Sequence, residues 1–287
     1  HHAHAGLSGL SQIFTSSQTI AGRSREALVA AMLASGWSED VARRALAAVM
    51  ARRAAEARGP FAAGAAPLPQ AQPGPDPDDP RMLLMLAERP VQRLLMLRQP
   101  RLALFGGLLD DDECDALVEL ARPRLARSLT VAERSGGSEV NAARTSDGMF
   151  FARGETALIE RIEQRIAELL RWPVQRGEGL QVLRYGPGAQ YRPHFDYFDP
   201  AQPGSAAVLA RGGQRVATLI IYLRVPEQGG ATVFADAGLD VAPVKGHAVF
   251  FAYERAHPSS GTLHGGAPVL AGEKWVATKW LRERAVD

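Results

Sequence analysis

Val216-Ala217-Thr218-Leu219-Ile220-Ile221-Tyr222-Leu223 is apolar at nearly every position. A strand without a polar face predicts a place in the middle of a sheet, covered on both sides. Working outward, further short β-rich runs surround it: Leu180 to Tyr185, Thr232 to Phe234, Ala248 to Ala252 and Trp275 to Leu281. Glycine and proline turns separate them, and no long helical pattern follows Pro173. The helices are upstream, with one predicted from about Glu155 to Leu170 through Ile159, Ile162 and Ile166. Helices first and many short strands afterwards imply an α+β chain, an antiparallel barrel or jelly roll braced by the earlier helices.

Nearer the start, Leu102 to Leu109 reads as a short strand. Asp110, Asp111 or Asp112 can then cap a helix through Cys114, Leu117 and Val118 that stops before Pro123. Met82 to Leu97 reads as a helix and then an edge strand, and Ser128 to Met149 as a long functional loop. Seven prolines between Gly59 and Pro80 predict a semi-extended, mobile linker. The organisation expected is therefore an N-terminal helical region over 1–58, a linker over 59–80 and a main domain over 81–287, with its core at about 100–284. The helical region has Leu28, Met32 and Leu33 at helix spacing, then a second start at Ser38. It is a candidate for packing on the main domain or on another chain, and so for an oligomer contact.

The 287 residues are 46% hydrophobic and 22% charged, the balance of a folded soluble domain. A formal charge of +2 implies no broad field for nucleic acid or an anionic membrane. No apolar run reaches the roughly 18–20 residues that span a bilayer. The single cysteine, Cys114, excludes an internal disulfide framework and fits a reducing compartment, so a cytoplasmic setting is expected. His1, His2 and His4 read as a tag remnant or ragged terminus.

Chemistry first shows in Tyr191-Arg192-Pro193-His194-Phe195-Asp196-Tyr197. On an extended backbone His194 and Asp196 point to one side, where an imidazole and a carboxylate can grip one divalent metal. Two histidines and one carboxylate on one face of an iron leave the opposite positions open. The second histidine must be His247, His257 or His264. His247 reads equally well as a turn residue and His257 as a loop residue, while two glycines directly after His264 let another group come close. Further on, Lys274 opens Lys274-Trp275-Val276-Ala277-Thr278-Lys279-Trp280. A lysine in an apolar strand needs an anionic partner, because an unpaired buried ammonium costs several kcal/mol. The far end of a metal-chelating dicarboxylate would supply one.

Together these pieces carry a resemblance. Leu180-Gln181-Val182-Leu183-Arg184-Tyr185-Gly186-Pro187-Gly188 leads into Tyr191-Arg192-Pro193-His194-Phe195-Asp196. Gly229-Gly230-Ala231-Thr232-Val233-Phe234 follows, then His264-Gly265-Gly266-Ala267-Pro268-Val269, Lys274-Trp275 and Thr278-Lys279-Trp280. In order and spacing, from roughly Pro100 to Arg284, the chain resembles the prolyl 4-hydroxylase branch of the Fe(II)/2-oxoglutarate-dependent dioxygenases. The resemblance implies a double-stranded β-helix core, with His194, Asp196 and His264 as iron ligands. It implies that Lys274 binds the distal carboxylate of 2-oxoglutarate, helped by Tyr185 and Thr218. It places Tyr191 and Trp280 at the peptidyl-proline pocket and Arg144 in the substrate-loop region. Where related chains often read Lys-Trp-Ile/Leu-His, this one has Lys279-Trp280-Leu281-Arg282, which makes Arg282 a further candidate substrate contact.

The implied activity is 4-hydroxylation of prolyl residues in a peptide or protein. Dioxygen and 2-oxoglutarate are consumed, succinate and carbon dioxide are released, and ascorbate serves as reductant. The runner-up is the same chemistry on a free amino acid or small metabolite, which Arg282, or a pocket too narrow for a peptide, would favour. A non-catalytic jelly-roll binding protein is the third reading, and intact His194, Asp196, His264 and Lys274 weigh against it.

Overall fold

The computed structural model describes residues 25–34, 39, 43, 72–127, 129–131, 138–140 and 145–286. The chain divides into two units, residues 1–65 and 66–287, a boundary inside the stretch expected to be a linker. In the first unit the described structure is a helix, α1 (Arg25–Ala34), with Val29 buried, followed by an exposed Glu39–Arg43 pair one turn apart.

The second unit starts with two strands, β1 (Leu83–Met85) and β2 (Pro90–Leu97), joined antiparallel with Leu84 opposite Val91. The helix expected from Met82 is therefore absent. Val91 and Arg93 are buried and their neighbours exposed, a period of two that suits a sheet edge rather than a helix. The linker expectation is corrected as well over 72–80. Pro73, Gly74 and Pro75 are buried, Gly74 N–H donates to Leu170 O at 2.7 Å, and Arg101 donates to Gln72 Oε1 at 2.7 Å. Proline excludes this segment from a sheet but leaves its carbonyls free to accept from Arg93 and Arg101.

β3 (Arg101–Gly106) leads into α2 (Asp111–Ala121). Of the three aspartates, Asp110 is the cap. It accepts from Glu113 N, and Glu113 accepts from Asp110 N in return. After β4 (Ala126–Arg127), β5 (Leu129–Val131) pairs with β6 (Ser138–Val140). Then β7 (Asp147–Phe151) starts inside the stretch expected to be loop, since Met149 and Phe151 are buried on the helix side of the sheet. α3 (Ala157–Leu170) is capped by Thr156, whose hydroxyl accepts from Ile159 N. Its Arg165 makes two bonds of 2.8 Å to Glu113 and ties the two helices together.

The remaining elements are β8 (Leu180–Tyr185), β9 (Tyr191–His194), α4 (Ser205–Ala210), β10 (Arg215–Arg224), β11 (Gln228–Gly229), β12 (Thr232–Phe234), β13 (Leu239–Val241), β14 (Ala248–Ala252), β15 (His264–Gly266), β16 (Val269–Ala271) and β17 (Lys274–Arg282). A nine-stranded sheet runs β1-β2-β3-β14-β10-β17-β8-β7-β4, and a four-stranded sheet runs β13-β12-β15-β9. Every pairing in both is antiparallel, the pattern of a double-stranded β-helix.

Alternation along the central strands divides the interior in two. Ala217, Leu219, Ile221 and Leu223 of β10 join Trp275, Ala277 and Leu281 of β17 in a core shared with α2 and α3. Tyr222 and Val276, of opposite parity, join Phe234, Phe251 and Tyr253 in a second core between the sheets. The stretch Val216 to Leu223 is apolar at nearly every position because helices cover one of its faces and the smaller sheet faces the other. The inner face of β17 carries Lys274, Val276, Thr278 and Trp280, and all four line the cavity described next.

Candidate active site

Three groups able to hold a metal converge between the sheets. Donor atoms of His194, Asp196 and His264 lie within 4.8 Å of one another, and among the described residues no other such cluster is found. Strand register brings the histidines together: on the neighbouring strands β9 and β15, His194 and His264 are directly opposed, with ring centroids 4.4 Å apart. The glycines after His264 serve close packing. A Cβ on Gly265 would come within 2.8 Å of Tyr191 O, so only glycine lets β9 and β15 approach this closely. β9 ends at His194, and Asp196 lies in the bend beyond it rather than on an extended strand, as the spacing had suggested.

Backbone carbonyls set both imidazoles. His194 Nδ1–H donates to Arg192 O at 2.8 Å and His264 Nδ1–H to Thr262 O at 3.0 Å. A carbonyl can only accept, so Nδ1 carries the proton and each Nε2 keeps its lone pair. Those Nε2 atoms face Asp196, at 3.5 Å from Oδ1 and 3.5 Å from Oδ2. Burial lowers His264 to about 4, against the pull of Asp196, and keeps it neutral at ordinary pH. Burial opposes charge on Asp196 too, but neighbouring positive charge, from Arg215 and from either imidazole when it is protonated, outweighs it and holds the carboxyl well below the usual carboxylate range.

Thr218 requires a correction. Its hydroxyl donates to Asp196 Oδ2 at 2.7 Å and lies 3.1 Å from Tyr253 Oη, and it does not line the cavity. Its parity on β10 is right for the inner face, but the carboxylate of Asp196 stands between it and the open space. In this structure it bonds the candidate ligand Asp196 and does not face the cavity.

Lys274 enters from the large sheet. It is buried, lines the same cavity as the three ligands, and has no carboxylate partner among the described residues. The rings of Tyr185, its cross-strand neighbour, and Tyr222 lie 5.7 and 5.6 Å from Nζ. Burial alone lowers its pKa to about 8. Gly230, at φ +72°, turns the chain so that a Cβ there would sit 3.2 Å from the Lys274 stem. Thr232 and Thr278 also line the cavity and supply hydroxyls that sequence reading did not single out.

At the mouth, Tyr191 stacks on His194 with centroids 3.6 Å apart. Trp280 is buried, lines the cavity, and its Nε1–H has no hydrogen-bond partner among the described residues. Arg215 stacks on the outer side of that indole at 3.9 Å, donates to Asp196 O at 3.3 Å, and is held by Glu178 through two bonds of 2.8 Å. It was missed, although a charged residue heading a buried strand is the same signal that drew attention to Lys274. Arg282 is not in the cavity. It is buried and donates to Gly213 O, Val208 O, Arg211 O and Glu178, because its place on β17 faces the loop after β9. Arg144 lies outside the described residues. His257 caps a short 3₁₀ turn and His247 precedes β14, both away from the cluster.

The donor set fits iron: two neutral imidazole nitrogens and one carboxylate on one side of an open cavity are the ligand set of a non-haem Fe(II) centre. The buried ammonium of Lys274, without a carboxylate partner among the described residues, fits the distal carboxylate of a 2-oxoglutarate chelated there.

The sequence profile of the 2OG-Fe(II) oxygenase superfamily matches residues 180–282, a span that holds all three ligands and Lys274. Prolyl 4-hydroxylase 2 of Arabidopsis thaliana is 38% identical over 212 residues, covering 66% of this chain and 69% of the relative. The chain belongs to the prolyl 4-hydroxylase branch of the 2OG-Fe(II) oxygenase superfamily. A second member of this branch, prolyl 4-hydroxylase 1 of the same plant, is 40% identical over 205 residues, or 66% and 71% of the two chains. Among solved structures, the 2OG complex of viral collagen prolyl hydroxylase from Paramecium Bursaria Chlorella virus-1 is 32% identical, with a TM-score of 0.48. That comparison covers 63% of this chain and 95% of the viral one.

Proposed function

We propose that this 2-oxoglutarate-dependent dioxygenase hydroxylates prolyl residues of a peptide or protein at C4. One observation carries the reading: a complete His194–Asp196–His264 donor set shares a cavity with a buried lysine that has no anion of its own among the described residues. Relatives bearing the prolyl 4-hydroxylase name support the acceptor. When bound, iron and 2-oxoglutarate supply the oxidising power that puts one atom of dioxygen into a C–H bond, with release of succinate and carbon dioxide. His194 and His264 offer Nε2 to the metal, and Asp196, steadied by Thr218, offers its carboxylate. Lys274 receives the far carboxylate and so fixes the direction in which the co-substrate lies. Leu183, Ile220 and Val276 form apolar walls that exclude water. Tyr191 and Trp280 flank the remaining opening, where aromatic faces suit a prolyl ring and the free Nε1–H suits an acceptor carbonyl. Ascorbate belongs to the same reading as the reductant.

A small-molecule acceptor loses one of its two supports, because Arg282 does not reach the cavity. The deciding experiment incubates the protein with Fe(II), 2-oxoglutarate and a proline-rich peptide library. Peptides should gain one oxygen on proline in step with succinate, and His194→Ala should abolish both. Succinate release without peptide oxidation across the library, but with oxidation of free proline, would move the acceptor to the second reading.

A further inference from the structure

A second cavity, of about 470 Å³, adjoins the first behind Arg215. The two share a partition: Trp280 lines the active cavity, and Arg215, whose guanidinium stacks on that indole at 3.9 Å, lines the second. Pro200, Leu209 and Ala210 form the outer wall, Val216 and Tyr253 the floor. We infer that this cavity receives an uncharged, apolar residue of the acceptor chain, two to three positions from the residue being oxidised. The inference rests on the acceptor being a peptide.

Three observations carry it. The outer wall is preformed. Arg282 donates to Val208 O at 2.8 Å and to Arg211 O and Gly213 O at 2.7 Å, and Gln214 exchanges bonds of 2.8 and 2.7 Å with Phe198. A wall held this way is a fixed surface against which a chain can lie without first ordering it. Most charged groups of the lining are engaged within the protein. Arg215, Arg255 and Arg284 stand against Glu254 and Glu283, with Glu178 and Arg282 paired just behind the wall. Arg215 is bound to Glu178, Glu283 accepts from Gln214 N at 2.8 Å, and Arg284 donates to Leu209 O at 3.1 Å. With these groups engaged, the leucine, alanine, proline and tyrosine surfaces favour an aliphatic or prolyl side chain. The spacing suits one chain. A stacked indole and guanidinium are roughly 7 Å thick at ordinary contact distances, which an extended peptide crosses in about two residues.

The test compares a blocked tripeptide with proline at its centre, a longer peptide flanked by alanine and proline, and the same longer peptide with lysine or glutamate flanks. Wild-type protein should show kcat/KM about tenfold higher for the apolar long peptide than for the other two. Ala210→Trp, which fills the cavity from its rim, should remove that preference by raising KM for the long peptide. The tripeptide rate and 2-oxoglutarate affinity should be unchanged. Should Ala210→Trp not fold, Pro200→Arg offers the same test from the other side of the wall. Equal kcat/KM for tripeptide and long peptides, charged flanks accepted as well as apolar ones, or a long-peptide KM unmoved by either variant would overturn the inference while leaving prolyl hydroxylation intact. No hydroxyproline from any peptide would overturn both.

Discussion

Lys274 and Lys279 stand on opposite faces of one strand and have opposite fates. Lys279 points to the helices, is buried, and meets Glu163 of α3 at 2.5 Å. Lys274 points between the sheets, is equally buried, and meets no carboxylate among the described residues. Burial lowers the pKa of both, but Glu163 pulls Lys279 back up, while nothing compensates Lys274. A buried ammonium with a partner in the same chain is architecture. One without a partner is an anion site kept open at a cost in stability, and here it faces the metal ligands.

The comparison can be broken first on the helix side. Lys279→Met strands a buried Glu163 and should cost about 3–5 kcal/mol in denaturant unfolding, whereas Lys279→Met with Glu163→Leu should recover most of it. The 2-oxoglutarate affinity of the folded protein should change in neither. If the single variant lost co-substrate affinity instead, the division of labour between the faces would fail.

On the cavity side, Lys274→Met should weaken 2-oxoglutarate binding by about 100- to 1000-fold, as expected for removing the partner of a buried carboxylate. It should also raise the stability of the ligand-free protein by about 1–3 kcal/mol, because it removes an uncompensated charge. A calorimetric titration and a melt on the same sample read both. A ligand-free protein made less stable would mean that Lys274 has a structural partner after all.

Thr218→Val leaves Lys274 in place and removes the donor to Asp196. Metal affinity should fall about 10- to 100-fold, with little change in the affinity of metal-loaded protein for 2-oxoglutarate. The reverse pattern would restore Thr218 to the co-substrate contact that its sequence position suggested.

The smallest effect is in pH. Because the free-site pKa of Lys274 is about 8, 2-oxoglutarate affinity should fall about tenfold per pH unit above that value and stay level just below it. Stability should move the other way. Between about pH 8 and the lysine's ordinary 10.5 the unfolded chain binds the extra proton, so this group's contribution to stability rises with pH across that window. Lys274→Met should remove both dependences.

Much of this was legible in the residues. A cap among Asp110, Asp111 and Asp112 and the strands Leu180–Tyr185, Thr232–Phe234 and Ala248–Ala252 depend on local chemistry, and they fall where the pattern put them, with Asp110 as the cap. Met82 to Leu97 misled because a short apolar run suits a helix or a strand equally until its neighbours are known, and here the neighbour is β3. The order of His194, Asp196, His264 and Lys274 was readable because metal and carboxylate chemistry accept few residue types.

The sequence by itself determined which groups could do chemistry, and that Val216 to Leu223 had to be covered on both sides. The tertiary structure decided which atom each group faces. A residue's parity along a strand is local, but what waits on that side comes from distant segments: Glu163 of α3 opposite Lys279, Asp196 in front of Thr218, and the loop ending at Gly213 around Arg282. Partner choice is a long-range property, so the same residue types became a paired lysine and an open one, a ligand-orienting threonine and an arginine that holds a wall in place.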